Sequence, residues 1–234
     1  MFTLDLHTHT RFFHGHSRAA EVYDPVGARL LGLAARYREL DGVALTNHDY
    51  YRSFSAGAVR AIPGIEISTT KGHVLVVGPD PPTRTEPATL TPEETVDLAH
   101  DRGCAAIIAH PYRNSTVREV DADFDAIEVN GKHPRTESWV QALAERHDLP
   151  MVGGSDAHYP VEVGRAFTRV DADTLTPESV VEAIREGRVE PRVRRGTFDQ
   201  TVRRLYRRIH EGKEQLHRPE EESPGVGEPP QPED

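Results

Sequence analysis

For most of its length the chain alternates short apolar runs with stretches of helical periodicity, and that order restricts it to a small set of folds. The apolar runs over 2–6, 42–46, 65–68, 73–78, 105–110, 126–130, 150–155 and 166–170 read as buried strands. Helical patterns fall near 25–40, 92–102, 135–147 and 177–187. Two of the helix starts are well marked. "TPEE" from Thr91 and "TPES" from Thr176 each put a threonine at the N-cap and a proline in the first turn. Repeated strand–helix order predicts an α/β domain with a mostly parallel sheet, either open or closed into a barrel.

Composition narrows the functional classes. The 234 residues suffice for a sizeable core. A net charge of -10 argues against a protein that simply coats nucleic acid. Cys104 is the one cysteine, so neither an internal disulfide nor a thiolate zinc site is possible. It lies within "CAAIIAH" and is expected to be buried and inert. No apolar run is long enough to cross a bilayer, and a cytoplasmic protein is expected.

The charge is uneven. A basic segment over 185–208 carries an apolar stripe at helical spacing, Phe198, Val202, Leu205, Tyr206 and Ile209, flanked by arginines. The expected division is a domain over 1–196, an amphipathic helix over 197–212 docked on it, and a disordered acidic Pro/Glu tail over 213–234. The arginine face is either a solvated surface or a contact for a phosphate backbone.

The thirteen histidines cluster at informative places. His7 and His9 stand two apart at the end of the first strand, so both side chains point to one side. His48 closes the second strand, Glu66 lies in the third, His73 opens the fourth, and His110 ends the fifth. Asp156 and His158 follow the run at 150–155, and His14 and His16 lie just beyond the first strand. Most of these residues fall at the C-terminal ends of predicted strands, where α/β folds assemble their sites. Imidazoles and carboxylates without thiols suit zinc, manganese or iron. The candidate ligands are His7, His9, His14, His48, Glu66, His73, His110, Asp156 and His158, more than one ion requires. They predict two or three divalent ions, with Glu66 as the best bridging carboxylate.

With those residues in view, the sequence resembles the PHP (polymerase and histidinol phosphatase) superfamily. "DLHTHT", "TNHD", "AHP" and "GSDAH" are similar to its four motifs in order, and "GIEIS" followed by His73 is similar to the Glu and His between the second and third. The match runs over roughly residues 3 to 165. The resemblance implies a distorted (β/α)7 TIM-like barrel with a dinuclear or trinuclear metal site at the strand ends, and phosphoester hydrolysis by metal-activated water. It favours His14 over His16 as the ligand after the first motif. Asn47 stands where the family usually has an acid. Glu128, in "IEVNG", reads as a residue that supports ligands rather than one that binds metal.

The expected function is hydrolysis of phosphate esters of nucleotides or short oligonucleotides, as an exonuclease-like enzyme or a nucleotide phosphatase. The substrate would be a phosphorylated small molecule or a short nucleic-acid 5' end. The alternatives are a histidinol-phosphatase-like phosphomonoesterase and a non-catalytic, metal-stabilised module associated with nucleic acid. His16 and Asp49 are candidates for the leaving-group acid. Arg113, then Arg18 and Arg165, are candidates for clamping phosphate.

Overall fold

The computed structural model describes residues 1–10 and 17–196, with side chains of the first helix from residue 24 onward. His14, His16, the side chain of Arg18, the expected helix over 197–212 and the expected tail over 213–234 lie outside the described residues.

Nine strands form one sheet: β1 (Phe2–Thr8), β2 (Gly42–Leu45), β3 (Arg60–Thr69), β4 (Gly72–Val77), β5 (Ala105–Ile108), β6 (Ala126–Asn130), β7 (Met151–Gly154), β8 (Ala166–Val170) and β9 (Val189–Val193). Among the described residues four α-helices accompany them: α1 (Ser17–Tyr37), α2 (Pro92–Asp101), α3 (Glu137–His147) and α4 (Pro177–Arg185). The strand order is β7-β6-β5-β4-β3-β2-β1-β8-β9. The sheet curls into a nearly closed barrel, with β7 lying against β1, β8 and β9.

The mostly parallel sheet expected from strand–helix order needs correction. β1–β2, β2–β3, β5–β6 and β6–β7 are parallel. β1–β8, β3–β4, β4–β5 and β8–β9 are antiparallel. Only Thr70 and Lys71 separate β3 from β4, too few residues for a parallel crossover. β8 and β9 form a further antiparallel pair that fills the gap between β1 and β7. β9 escaped the sequence reading because "VEPRV" alternates charge with partly buried residues and has no apolar run. Helix α1 begins at Ser17, well before the expected start near 25, and Pro25 lies inside it. Proline there removes one backbone donor without ending the helix.

Only the start of the basic segment lies within the described residues. Within its described part, Arg185 pairs with Asp125 at 2.9 Å and Arg192 with Glu190 at 2.5 Å. Arg188 pairs with Glu186 at 2.6 Å, and Arg195 with Glu137. Arg194 donates to the Arg38 carbonyl at 2.6 Å and covers the Phe167 ring. These arginines are paired within the described residues; the arginine face expected on the helix over 197–212 lies outside them.

Alternation along the strands separates core from site. On β3, Ile62 and Glu66 share a face; on β4, Val77, Leu75 and His73 do; on β6, Ala126 and Glu128 do. The apolar members join Ile107, Val152 and the α4 residues Val180, Val181, Ala183 and Ile184 in one buried cluster. Thus α4 closes one end of the barrel, and the polar members gather at the other. Because β4 runs antiparallel, its first residues lie at the same rim as the last residues of its parallel neighbours. That is how His73, which opens a strand, reaches residues that close theirs.

The seam opposite the continuous ladder is stitched by side chains. The Thr168 hydroxyl accepts from Gly153 N at 2.8 Å and donates to Gly153 O at 2.9 Å. The buried Asp5 carboxylate accepts from Ser155 N at 2.9 Å and Gly164 N at 2.8 Å. Burial pushes the Asp5 carboxyl up to about 6 despite these donors. Near the rim, His9 N donates to Ala157 O at 2.9 Å and Ala157 N donates to His7 O at 3.3 Å. Asp156 and His158 are thereby set beside the His7–His9 pair. Gly154 is required at this crossing: a Cβ there would stand 2.4 Å from Glu128 Oε1 and 2.5 Å from His7 Cβ.

Candidate metal centre

Glu66 organises the rim. Its carboxylate is fully buried, and its two oxygens face two different sets of imidazoles. Oε2 lies 3.1 Å from His7 Nε2, 3.3 Å from His9 Nε2 and 3.1 Å from His48 Nδ1. Oε1 lies 2.8 Å from His73 Nδ1 and 3.1 Å from His110 Nε2. Asp156 completes the first set, with Oδ1 3.3 Å from His9 Nε2 and 3.8 Å from His7 Nε2. His158 Nδ1 stands 3.1 Å from the same oxygen. All eight described candidate ligands therefore converge, from β1, the end of β2, β3, β4, the end of β5 and the loop after β7.

Several of these side chains are held by a second contact. His7 Nδ1 lies 2.7 Å from Glu128 Oε1, which directs Nε2 into the cluster. Glu128 Oε2 in turn accepts from the His110 backbone at 2.8 Å and from Asn130 Nδ2 at 3.1 Å. Glu128 thus supports ligands from two strands. His110 and Asp156 have φ of 27° and 52°, the left-handed region that non-glycine residues adopt at a cost.

The electrostatics are those of a buried, highly charged pocket. Burial opposes the charge on Glu66, but His48, His7 and His73 hold its carboxyl well below the usual range. Burial likewise opposes the charge on Asp156, and Lys132, His7 and His158 overcome it. Burial opposes charge on His7, yet Glu128, Glu66 and Asp156 raise its pKa. Burial and the His158 imidazole push His9 down, and burial pushes His48 down to about 4.

The donor set fits divalent cations. His9 Nε2 is buried with no hydrogen-bond partner among the described residues, although it faces two carboxylate oxygens. A buried polar atom left in that state is costly unless a cation completes it. Three groups within the cluster have ligand atoms close enough to share an ion: His7–His9–Asp156, His48–Glu66–His73 and His9–His48–His158. Within these groups the ligands are imidazole nitrogens and carboxylate oxygens, the chemistry of zinc, manganese or iron sites.

The expected catalytic residues fare less uniformly. Asp49 is next to the cluster, but its carboxylate accepts from Ser68 N at 2.9 Å, Ser68 Oγ at 2.8 Å and Thr85 Oγ1 at 3.1 Å. These three donors occupy the carboxylate in securing a loop, which corrects its expected role as leaving-group acid. Arg165 is also corrected. It is 1% exposed and pairs with Glu162 at 3.1 Å, out of reach of a solvent-borne phosphate. Glu162 accepts from the His158 backbone at 2.9 Å, so Arg165 acts on the site by anchoring that loop. Arg113 lies at the site, with Nη1 3.1 Å from Asp156 Oδ2 and 27% of its side chain exposed.

Lys132 was not foreseen. Its side chain is 2% exposed, with Nζ 3.0 Å from Asp156 Oδ1 and 2.9 Å from His158 Nδ1. Its position two residues beyond Asn130, at a strand's C-terminal end, was the available signal. Arg52 and Arg84 were also missed. With Tyr50 and Thr85 they line a cleft of about 350 Å³ that reaches His48. The Arg84 pairing with Glu86, at 3.5 Å, is largely solvent-exposed and therefore weak.

Known proteins are similar to this chain in sequence or fold. Residues 140–189 match a family model described as PHP-associated. An uncharacterised protein of Methanocaldococcus jannaschii is 28% identical over 146 residues, 53% of this chain and 60% of that protein, so the match leaves a substantial part of the relative uncovered. Among solved structures, PsfC from Pseudomonas syringae has a TM-score of 0.66 at 20% identity, covering 89% of this chain and 98% of that one. A two-domain Bacteroides vulgatus protein containing a predicted PHP-like metal-dependent phosphoesterase gives 0.53 at 20% identity, over 82% of this chain and 64% of that one. Endonuclease Q in complex with a 27-mer duplex bearing an abasic lesion gives 0.59 at 19% identity, over 79% and 56%. This chain thus shares its barrel fold with these structures, and its residues from α3 to the start of β9 are similar to the PHP-associated family segment.

Proposed function

We propose that the chain is a metal-dependent phosphoesterase that hydrolyses phosphate esters of nucleotides or short oligonucleotides. The observation that carries this reading is Glu66, whose two oxygens face separate imidazole groups as a bridging carboxylate between two cations would. Divalent ions held there would polarise a phosphoryl oxygen and activate water at neutral pH. His7, His9 and Asp156 would serve one ion, and His73 and His110 another, with Glu66 shared. Glu128 would keep His7 in the tautomer whose Nε2 lone pair points inward.

The rest of the substrate would lie in the cleft beside His48. Arg52 and Arg84 there present guanidinium groups suited to a second phosphate or a nucleotide backbone. Arg113 would steady Asp156 and, through its exposed edge, meet a phosphoryl oxygen. The endonuclease Q complex, similar in fold, holds a 27-mer duplex substrate with an abasic lesion at the active site, which supports a nucleic-acid-derived substrate over an unrelated ester.

The test is a substrate panel on protein loaded with manganese or zinc: p-nitrophenyl phosphate, its bis ester, pAp, a 5'-phosphorylated oligonucleotide and histidinol phosphate. Turnover of pAp or the oligonucleotide above the simple esters is the expected result. Preference for histidinol phosphate, or no turnover by protein that has bound metal, would overturn the reading.

A further inference from the structure

The outer face of α1 is apolar where a surface helix is usually polar. Val26, Leu30, Leu33 and Tyr37 are 53%, 40%, 60% and 87% exposed, and their spacing sets them in one stripe along the helix. The inner face is already satisfied, because Ala28, Leu31 and Ala35 are buried in one cluster with Val43, Leu45 and Val163. Single exposed apolar residues need no explanation, but four in line on one helix form a patch that marks an interface.

The described chain ends beside this stripe. Arg194, just after β9, donates to the Arg38 carbonyl at 2.6 Å, and Arg38 directly follows Tyr37. From Arg194 to residue 197 the chain extends roughly 10 Å at most. The segment over 197–212 therefore starts near the Tyr37 end of α1.

That segment lies outside the described residues, but its sequence carries a matching stripe. Phe198, Val202, Leu205 and Ile209 are separated by four, three and four residues, the same steps as Val26, Leu30, Leu33 and Tyr37. These steps read alike in both directions. An antiparallel helix entering at Tyr37 would thus set Phe198 against Tyr37 and, about 16 Å further on, Ile209 against Val26. Thr197 and Gln200 have the spacing of a capping box, which favours a helix start at this point.

Charge selects the apolar side of the segment and selects it over a second copy. Arg29 and Arg36 are exposed on either turn beside the α1 stripe, so the arginine side of the segment would be repelled there. Two copies of α1 paired about a two-fold axis would bring both arginine pairs to one interface.

We propose that the segment over 197–212 docks antiparallel on the outer face of α1, stripe against stripe, and turns Arg203, Arg204, Arg207 and Arg208 to solvent. This docking is independent of the metal-centre reading.

Cross-linking of the full chain tests it. Cys104 is buried, so paired cysteines can be introduced beside it. Packed helix axes stand about 8–10 Å apart, within the span of a short bismaleimide. Tyr37→Cys with Phe198→Cys, and Val26→Cys with Ile209→Cys, should each link within one chain. Val26→Cys with Phe198→Cys should not. Failure of either of the first two pairs, a link in the third, or links between chains instead of within one would overturn the proposal. Trypsin supplies a second measurement, since cleavage between 203 and 208 tracks the undocked fraction. It should be about ten-fold or more faster in Leu33→Asp than in wild type, through the lost apolar contact. Equal rates would refute the docking. If Leu33→Asp does not fold, as judged by circular dichroism, the cross-links decide.

Discussion

On its inner side the cluster presents His7, His9, Glu66 and Asp156, whose side chains are at most 2% exposed. On its outer side His48 and His73 leave 35% and 32% of their side chains open. The inner residues are also braced: His7 by Glu128, and Asp156 by Lys132 and Arg113. His48 instead leads into a long connection and borders the cleft that carries Arg52 and Arg84. The inner side is built to fix ligand geometry, since displaced ligands there have no water to fall back on. The outer side is open to solvent and is continuous with a cleft. Substitutions on the two sides should fail differently.

The largest effect is expected at Glu66. Glu66→Ala removes the oxygens shared by both sets of imidazoles and should abolish retained metal and lower kcat/KM by more than the roughly 10²–10³-fold that removing one electrostatic group costs. Metal analysis with steady-state kinetics checks both. Glu128→Gln should come next, weakening metal affinity by about 10–100-fold, because the amide loses the charge and has only one acceptor oxygen for the His7 ring and the His110 backbone. A competition titration with a fluorescent chelator measures this.

On the outer side, Arg84→Ala should raise KM several-fold for substrates with a second phosphate and leave kcat nearly unchanged, the signature of lost ground-state binding. An equal KM for p-nitrophenyl phosphate in variant and wild type would sharpen the assignment. A drop in metal content in Arg84→Ala would break the contrast between the sides. The smallest effect is expected at His133, 4% exposed, whose pKa burial and the nearby Arg113 push down to about 3. Its ring is neutral in the folded chain, so the unfolded state binds the extra proton below about 6.5. Stability from this group is present above that pH and is lost as pH falls toward 3. His133→Gln should therefore flatten acid destabilisation between those values, by about 2–4 °C in Tm for each kcal/mol recovered. Melts of the metal-free protein over that range provide the check.

Much of this site could be read from strand parity. His7 and His9 are two apart, and Glu66 shares a face with Ile62, so their common direction follows from the two-residue repeat. The remainder depended on facts that no local pattern carries. The antiparallel course of β4 brings His73 to the rim, and it follows from a turn of only two residues. Lys132 has no periodic partner and is defined by what lies across the seam from it. Asp49 and Arg165 looked chemically apt in the sequence, but backbone and side-chain donors claim the first and Glu162 the second. β9 is a strand by pairing with β8 and not by composition.

The seam between β1 and β7 carries a further consequence. β7 is joined there to β1 through an aspartate and a few amides at the rim, and to β8 through a threonine hydroxyl, so this is the line along which the cylinder would part most easily. His7 and His9 stand on one bank and Asp156 and His158 on the other. Any ion gripped from both banks would rivet the cylinder shut, and its release would loosen the wall itself.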